Sequence, residues 1–300
     1  MPMPSKPPPP LPTRDGVSAS FVWVPEGYWE NALEFLCDYF PEVSLETWTE
    51  RMQKREVCDS NGHFLSPISQ IKRGMCLFYY REIPNEIKIP FCEHILFQDE
   101  HLLVVDKPHF LPVTPGGGYL RETLLVRLKR RTQIDHLTPL HRLDRETAGI
   151  MLFSKQVQSR GAYQVLFQHQ QIDKTYHALA PHLDHVSFPL QKKSRLVEGP
   201  QFFVMQEVPG EANSETQIHL LERRGAFSMY ELRPRTGKKH QLRVHLASLG
   251  APIINDTFYP IALPHGSDDF EKPLKLLAKS IAFTDPITGE SRHFESQLTL

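Results

Sequence analysis

The chain predicts an α+β protein: a mixed, largely antiparallel sheet with flanking helices, preceded by a small α+β module. Two observations carry this reading. Strand-like segments outnumber helical ones and join mostly by hairpin-length connections, which favours antiparallel pairing with helices packed on the sheet. The segment before Pro84 also holds two helical patterns and a hairpin signal of its own, enough for a separate unit in a chain of 300 residues.

The opening MPMPSKPPPPLPTR places prolines where a secretion signal carries its apolar segment, so residues 1–20 are expected to form a disordered, polyproline-like leader. Trp29, Leu33, Leu36 and Phe40 recur at helical spacing with Glu30, Glu34 and Asp38 on another face. They predict an amphipathic helix over 27–40, stopped by Pro41. A second helix is expected over 45–54, a hairpin over 56–65 centred on Asn61-Gly62, and a strand over 76–80. Together they make a module over 26–82, with a linker over 83–92 and a larger domain over 93–300.

In that domain ILFQDEHLLVVDKP predicts two strands around a turn at Asp99-Glu100, ended by Lys-Pro. Pro115-Gly116-Gly117-Gly118 lacks the GK[ST] ending of a phosphate-binding loop. A basic helix is expected over 121–131, a buried strand over 150–153, and a helix over 156–168 with Val157, Ala162, Val165 and Leu166 inward. Strands follow over 172–180 and 229–232. Then a helix runs over 238–249, with Thr236 as its cap, Lys238, Lys239 and His240 in its first turn, and Leu242, Leu246 and Leu249 on the core.

The formal net charge of -1 hides segregation. Between Glu26 and Glu50 every charged residue is acidic, whereas Arg121–Arg131 and Arg223–His245 are strongly basic, so a basic cleft for a polyanion is compatible with a neutral total. No window approaches the roughly eighteen consecutive apolar residues of a membrane span. Cys37, Cys58, Cys76 and Cys92 form no CxxC pair, as expected of reduced thiols in a cytoplasmic protein. His136/His141, His182/His185 and His240/His245 match no metal-ligand spacing, so no metal is expected.

Three constellations could carry chemistry. In LHRLDRETAGIML, Asp144 lies between Arg142 and Arg145 before an apolar run. A carboxylate beside arginines stays ionised, which suits a nucleophile or an electrostatic stabiliser better than a general acid; the plainer reading is a structural ion pair. Next, LRPRTGKKHQLRVHLASLGAPIINDTFY joins Lys238, Lys239 and His240 to a helix N-terminus, a good phosphate site. Arg243, beside the apolar face of Leu242 and Leu246, is expected to be half-buried and to need an anionic partner, for which Asp144 is the candidate. Finally, strand alternation in IDKTYHALA puts Lys174 and Tyr176 on one side. A tyrosine there is more often core than catalytic.

HRLDRETAGIML resembles the HRLD-containing motif of RluA-type pseudouridine synthases. ILFQDEHLLVVDKPHFLPVTPG, DKTYHAL and RPRTGKKHQLRVHLASLGAPIINDTFY are similar to that family's opening, middle and closing motifs, in order over roughly residues 93–260. The first module is similar to a degenerate S4 RNA-binding domain. The resemblance implies a pseudouridine synthase fold and isomerisation of uridine in structured RNA, ribosomal or transfer, without cofactor or metal. It implies Asp144 as the essential carboxylate, Arg243 as its ion-pair partner, and Tyr176 stacked on the base and serving in proton removal from C5. Arg142 would fill the gap left by the flipped uridine, and Lys238, Lys239 and His240 would hold phosphates. His141, Arg145, Lys174 and Arg235 complete the expected RNA-contacting set.

Asp106, Ala148, Lys239 and Leu277 depart from residues usual in the family, Leu277 replacing a histidine on a pocket wall. The acidic block over 26–50 departs most, because an S4 surface is normally basic. It is expected to leave only Arg51, Lys54, Arg55, Lys72 and Arg73 for RNA, or to dock on a basic protein partner. A monomer is expected. The rivals are a catalytically inactive S4-type RNA-binding protein, which should show damage at Asp144, Tyr176 or Arg243, and a glycosidic hydrolase, which needs a second carboxylate as acid. Asp256 and Glu146 sit in no paired motif.

Overall fold

In the computed structural model, which describes residues 9–201, 203–263 and 268–300, the chain divides into two units. Met1–Glu86, Gly116–Arg121 and Val126–Asp135 form the first; Ile87–Pro115, Glu122–Leu125 and His136–Leu300 form the second. No helix among the described residues is long and apolar enough to cross a membrane.

The first unit is a three-stranded antiparallel sheet, β1 (Ser20–Trp23), β2 (Val57–Asp59) and β3 (Cys76–Tyr79), in the order β1-β3-β2, with helices α1 (Ala32–Tyr39) and α2 (Leu45–Gln53). The first helix starts later than its apolar spacing predicts because Asn31 takes the N-cap, accepting the Glu34 N–H at 2.9 Å, while Glu34 accepts the Glu30 N–H. Ala32, Phe35 and Leu36 bury against Trp48, Met52 and Leu77. The hairpin is short because the Asp59 carboxylate accepts the N–H groups of Asn61 and His63 and closes the turn.

The disordered leader expected over 1–20 needs correction from residue 9 onward; its first eight residues lie outside the described ones. Leu11, Val17 and Ala19 are buried, Tyr80 donates to the Pro12 carbonyl at 2.7 Å, and β1 begins at Ser20. Three apolar anchors among the prolines suffice to fix this segment on the sheet.

In chain order the remaining elements are β4 (His94–Gln98), β5 (Leu102–Lys107), α3 (Leu124–Thr132), β6 (Thr138–Pro139), β7 (Ala148–Ser154), α4 (Val157–Gln168), β8 (Asp173–Pro181), β9 (Leu190–Glu198), β10 (Met205–Val208), β11 (Ser214–Arg224), β12 (Phe227–Pro234), α5 (Gln241–Ser248), β13 (Leu276–Thr284) and β14 (Ser291–Glu295). The strands make one sheet in the order β10-β9-β11-β12-β8-β13-β7-β5-β4, with β14 on β13 and β6 on β7. Among the described residues only β13 and β7 pair in parallel. This is the mixed, largely antiparallel sheet expected.

Helix α4 buries Ser159, Tyr163 and Leu166, while Val157 and Val165 face solvent, contrary to expectation. Its inward face is set by the buried Tyr163 hydroxyl, which donates to Asp285, rather than by the valines. Helix α5 starts at Gln241, so Lys238 and Lys239 precede it, and Thr236 is not its cap. The Thr236 hydroxyl instead donates to the Gln241 side-chain carbonyl at 2.7 Å and accepts the Glu215 N–H.

The parallel β13–β7 pair depends on Gly149. Its φ is +113°, and a Cβ there would lie 2.2 Å from the Ala278 carbonyl oxygen and 2.7 Å from the Ala278 nitrogen. Both are backbone atoms of the paired strand and cannot step aside. Gly149→Ala is therefore expected to cost about 2–4 kcal/mol, read as a drop of roughly 5–15 °C in the melting temperature; an unchanged melting curve would show that β13 can yield.

Candidate active site

Asp144 sits in the loop that leads into β7, and that loop is tied down at both ends. The Leu140 N–H donates to Leu152 O at 2.9 Å, and the Leu152 N–H donates to His141 Nε2 at 3.1 Å, fixing its start on β7. The Thr147 N–H donates to Asp144 O, closing a turn. Behind it Lys107, wholly buried at the end of β5, donates to the carbonyls of Pro108, Leu111 and Arg145 at 2.9–3.0 Å. Burial pushes the Lys107 ammonium down to about 7, with Glu146 and Asp144 pulling the other way. Three carbonyl partners call for all three ammonium donors.

Opposite Asp144, on the first turns of α5, stands Arg243. Its side chain is 1% exposed, not half-buried as the sequence suggested. Its closest partner is not Asp144 but Asp256, which is 0% exposed and takes a two-pronged bond, Nε to Oδ2 at 2.8 Å and Nη2 to Oδ1 at 2.6 Å. Asp256 Oδ1 also accepts the N–H groups of Phe258 and Tyr259, so its chain turn is fixed with it. Arg243 Nη1 is thereby left for Asp144 Oδ2 and Glu146 Oε2, each at 3.5 Å. Burial opposes the charge on Arg243, but the Asp256 hydrogen bonds and the charges of Asp256, Asp144 and Glu146 outweigh it and hold the guanidinium pKa above its ordinary value.

Asp144 and Arg243 share a cleft of about 740 Å³ with Tyr176, Lys174, Arg142, Arg235, Lys238, Lys239 and His240. Asp144 is the only carboxylate among the described residues that line it. Tyr176 lies on β8 with its ring packed against a core of Ala178, Leu232, Leu242 and Leu276. Burial, joined by the Asp144 charge, raises its pKa, so it stays a phenol at neutral pH. Burial likewise lowers the pKa of Lys174. Among the described residues none makes an ion pair with Arg142, Lys174, Arg235, Lys238 or Lys239, whereas Arg224 and Arg233 of the same basic segment are neutralised by Glu222 and Glu231. The wall expected at Leu277 is made by Leu276, its neighbour on the alternating strand.

Three residues of the expected RNA-contacting set have other partners. His141 accepts the Leu152 N–H and stacks on Phe167 with ring centroids 4.9 Å apart; burial pushes it down to about 3, so it is a neutral strut. Arg145 is committed to Asp268 through two nitrogens and to Glu146 through a third. His240 is 8% exposed, at the N-cap of α5 with φ 54°, and turns inward to Asp144 and Tyr259. An ammonium-like phosphate contact needs charge and exposure, and neither is available to it. The roles of Asp256, Glu146, Lys107 and Tyr259 escaped sequence reading; the usable signal was the position of Asp256 and Tyr259 inside the long closing motif.

Lys107→Met would leave three buried carbonyls without donors behind the Asp144 loop. It is expected to cost about 2–4 kcal/mol in urea unfolding and to lower turnover with it; a variant of native stability and activity would show that Lys107 does not hold the loop.

Residues 101–248 match the RNA pseudouridylate synthase family. The tRNA pseudouridine synthase C of Vibrio cholerae is 33% identical over 54% of this chain and 72% of its own length. The ribosomal large subunit pseudouridine synthase D of Xylella fastidiosa is 29% identical over 78% of this chain and 73% of its own. Among solved structures, human RNA Pseudouridylate Synthase Domain Containing 4 superposes with a TM-score of 0.53 at 27% identity, covering 68% of this chain and 88% of that one. With the four motifs in order and the fold that carries them, the chain belongs to the RNA pseudouridylate synthase family.

Proposed function

We propose that this chain isomerises specific uridines to pseudouridine in structured RNA, ribosomal or transfer, with Asp144 as the essential carboxylate. One observation supports this above the rest. Asp144 stands alone among the carboxylates of the described cleft, facing a buried arginine whose other side is already neutralised by Asp256. A carboxylate so placed acts as a nucleophile or as a stabiliser of a detached uracil. The reaction breaks N1–C1′, forms C5–C1′, takes a proton from C5 and returns one to N1. It is balanced without any co-reactant.

A uridine must leave its stack to reach Asp144. Tyr176 offers its ring as a platform for the base, and the exposed Arg142 stands at the cleft mouth where the vacated stack would lie. Arg235, Lys238 and Lys239 supply unpaired charge for the phosphate backbone. Tyr176 is not a ready base for C5, because burial and Asp144 both disfavour its phenolate. His141, Arg145 and His240 serve the frame of the site instead.

The glycosidic hydrolase rival needs a protonated second carboxylate at the cleft. Glu146 and Asp256 are both engaged by Arg243, which weighs against it. The inactive-binder rival predicts a damaged site, and Asp144, Tyr176 and Arg243 are all in place.

The same reading makes the protein a cytoplasmic monomer, in keeping with its free thiols; burial pushes the Cys58 thiol up to about 11. The proposed S4-like module over 26–82, one part of the first unit, contributes little to RNA binding. Arg51 is buried over Trp48 and reaches Glu82, Lys54 pairs with Glu50, and Arg73 pairs with Glu26. Its acidic surface over 26–50 is instead a docking face for a basic protein.

Mapping pseudouridines in total RNA from a deletion strain carrying wild type or Asp144→Ala tests the reading. One or a few sites should vanish in the deletion and return with wild type only. Sites that return with Asp144→Ala, or a map unchanged by the deletion, would overturn it.

A further inference from the structure

His240 is buried beside Asp144 in the wrong charge state for a phosphate ligand, and its hydrogen bonds give it another task. The Tyr259 hydroxyl lies 2.8 Å from His240 Nδ1 and accepts the Met205 N–H, also at 2.8 Å. Among the described residues the phenol's own proton then has one acceptor within reach, Nδ1; a proton on Nδ1 would leave the buried O–H without one. A ring that accepts at Nδ1 and is neutral carries its proton on Nε2. Nε2 faces Oδ2 of Asp144 at 3.8 Å, the same oxygen that Arg243 Nη1 approaches at 3.5 Å. Phe258 stacks on the imidazole at 5.5 Å and 28°, and the left-handed backbone at φ 54° fixes its entry angle. Burial, with the charges of Arg243 and Lys239, pushes the ring down to about 3, which keeps it neutral. Among the described residues none donates to Asp144 Oδ1.

We infer that His240 is a positioning residue. Its Nε2–H, set by the Tyr259 hydroxyl, joins Arg243 in holding Oδ2 of Asp144, so that Oδ1 is the oxygen turned to the flipped nucleotide. This rests on the reading of Asp144 as the reacting carboxylate. At 3.8 Å the contact is longer than a hydrogen bond in the free protein, and the inference requires it to tighten when the nucleotide is bound.

Glutamine and asparagine at position 240 separate this from a packing role. A glutamine amide places a donor near the position of Nε2; an asparagine amide stops at the level of Nδ1 and accepts left-handed backbone readily. The assay is tritium release from 5-tritiated-uridine RNA isolated from the deletion strain. His240→Asn is expected to lose roughly ten- to hundredfold in kcat with KM for RNA unchanged, and His240→Gln to recover most of that loss. Nitrogen-15 spectra of the full-length wild type at pH 7 should show a protonated Nε2 and a bare Nδ1 at His240, and Tyr259→Phe should disturb that pattern. A proton on Nδ1, an imidazolium, equal kcat for the two amide variants, or a loss confined to KM would overturn the inference. Tritium release by Asp144→Ala would overturn the assignment of the reacting carboxylate instead, and the nitrogen spectra read the tautomer independently of it.

Discussion

Everything at this site hangs on a guanidinium shut away from water. A buried arginine is tolerable only when its charge and its donors are met, and the two-pronged bond to Asp256 meets the charge of Arg243 and occupies Nε and Nη2. That bond is the structural half of the arrangement. It fixes α5 to the turn at 256–259 and leaves one nitrogen, Nη1, pointing across to a carboxylate 99 residues earlier in the chain. The arginine is thus neutralised on one side and available on the other. Asp144 can then remain partly exposed, at 17%, without being the charge that keeps Arg243 folded.

The sheet explains why such distant residues meet. Asp144 lies in the loop into β7, Tyr176 lies on β8, and β13 runs between those strands, so both residues are delivered by the middle of the sheet. Gly149 lets β13 approach β7, and Lys107 ties the loop from beneath. Helix α5 is the next element after β12, and its first residues, Gln241 to Arg243, line the cleft. The residues proposed for the chemistry are therefore placed by the paired middle of the sheet, while three cations of the cleft, Arg235, Lys238 and Lys239, stand on the segment between β12 and α5.

Asp144, Tyr176 and Arg243 were legible because each sits in a motif whose neighbours repeat a known pattern. The role of Asp256 was not, although it lies in the closing motif, since one aspartate in an apolar stretch does not reveal a partner 13 residues away on a helix. The misplaced start of α5 has a similar cause: charge and a threonine suggested a capped helix at 238, but a left-handed His240 sets the entry. Strands β9 to β11 went unread because their faces are largely polar, as in LQKKSRLVE, and they are recognised by pairing rather than by hydrophobic alternation. The leader failed for the opposite reason, since its prolines masked Leu11 and Val17, which are buried.

The division of labour around Arg243 is open to one direct comparison, the unfolding free energies of Asp144→Asn and Asp256→Asn in urea. If Asp256 supports the buried charge and Asp144 is spared for chemistry, Asp256→Asn costs about 3–5 kcal/mol, as expected when a buried ion pair loses one partner, while Asp144→Asn stays within about 1 kcal/mol of wild type. Equal costs, or the larger cost at Asp144, would contradict the account.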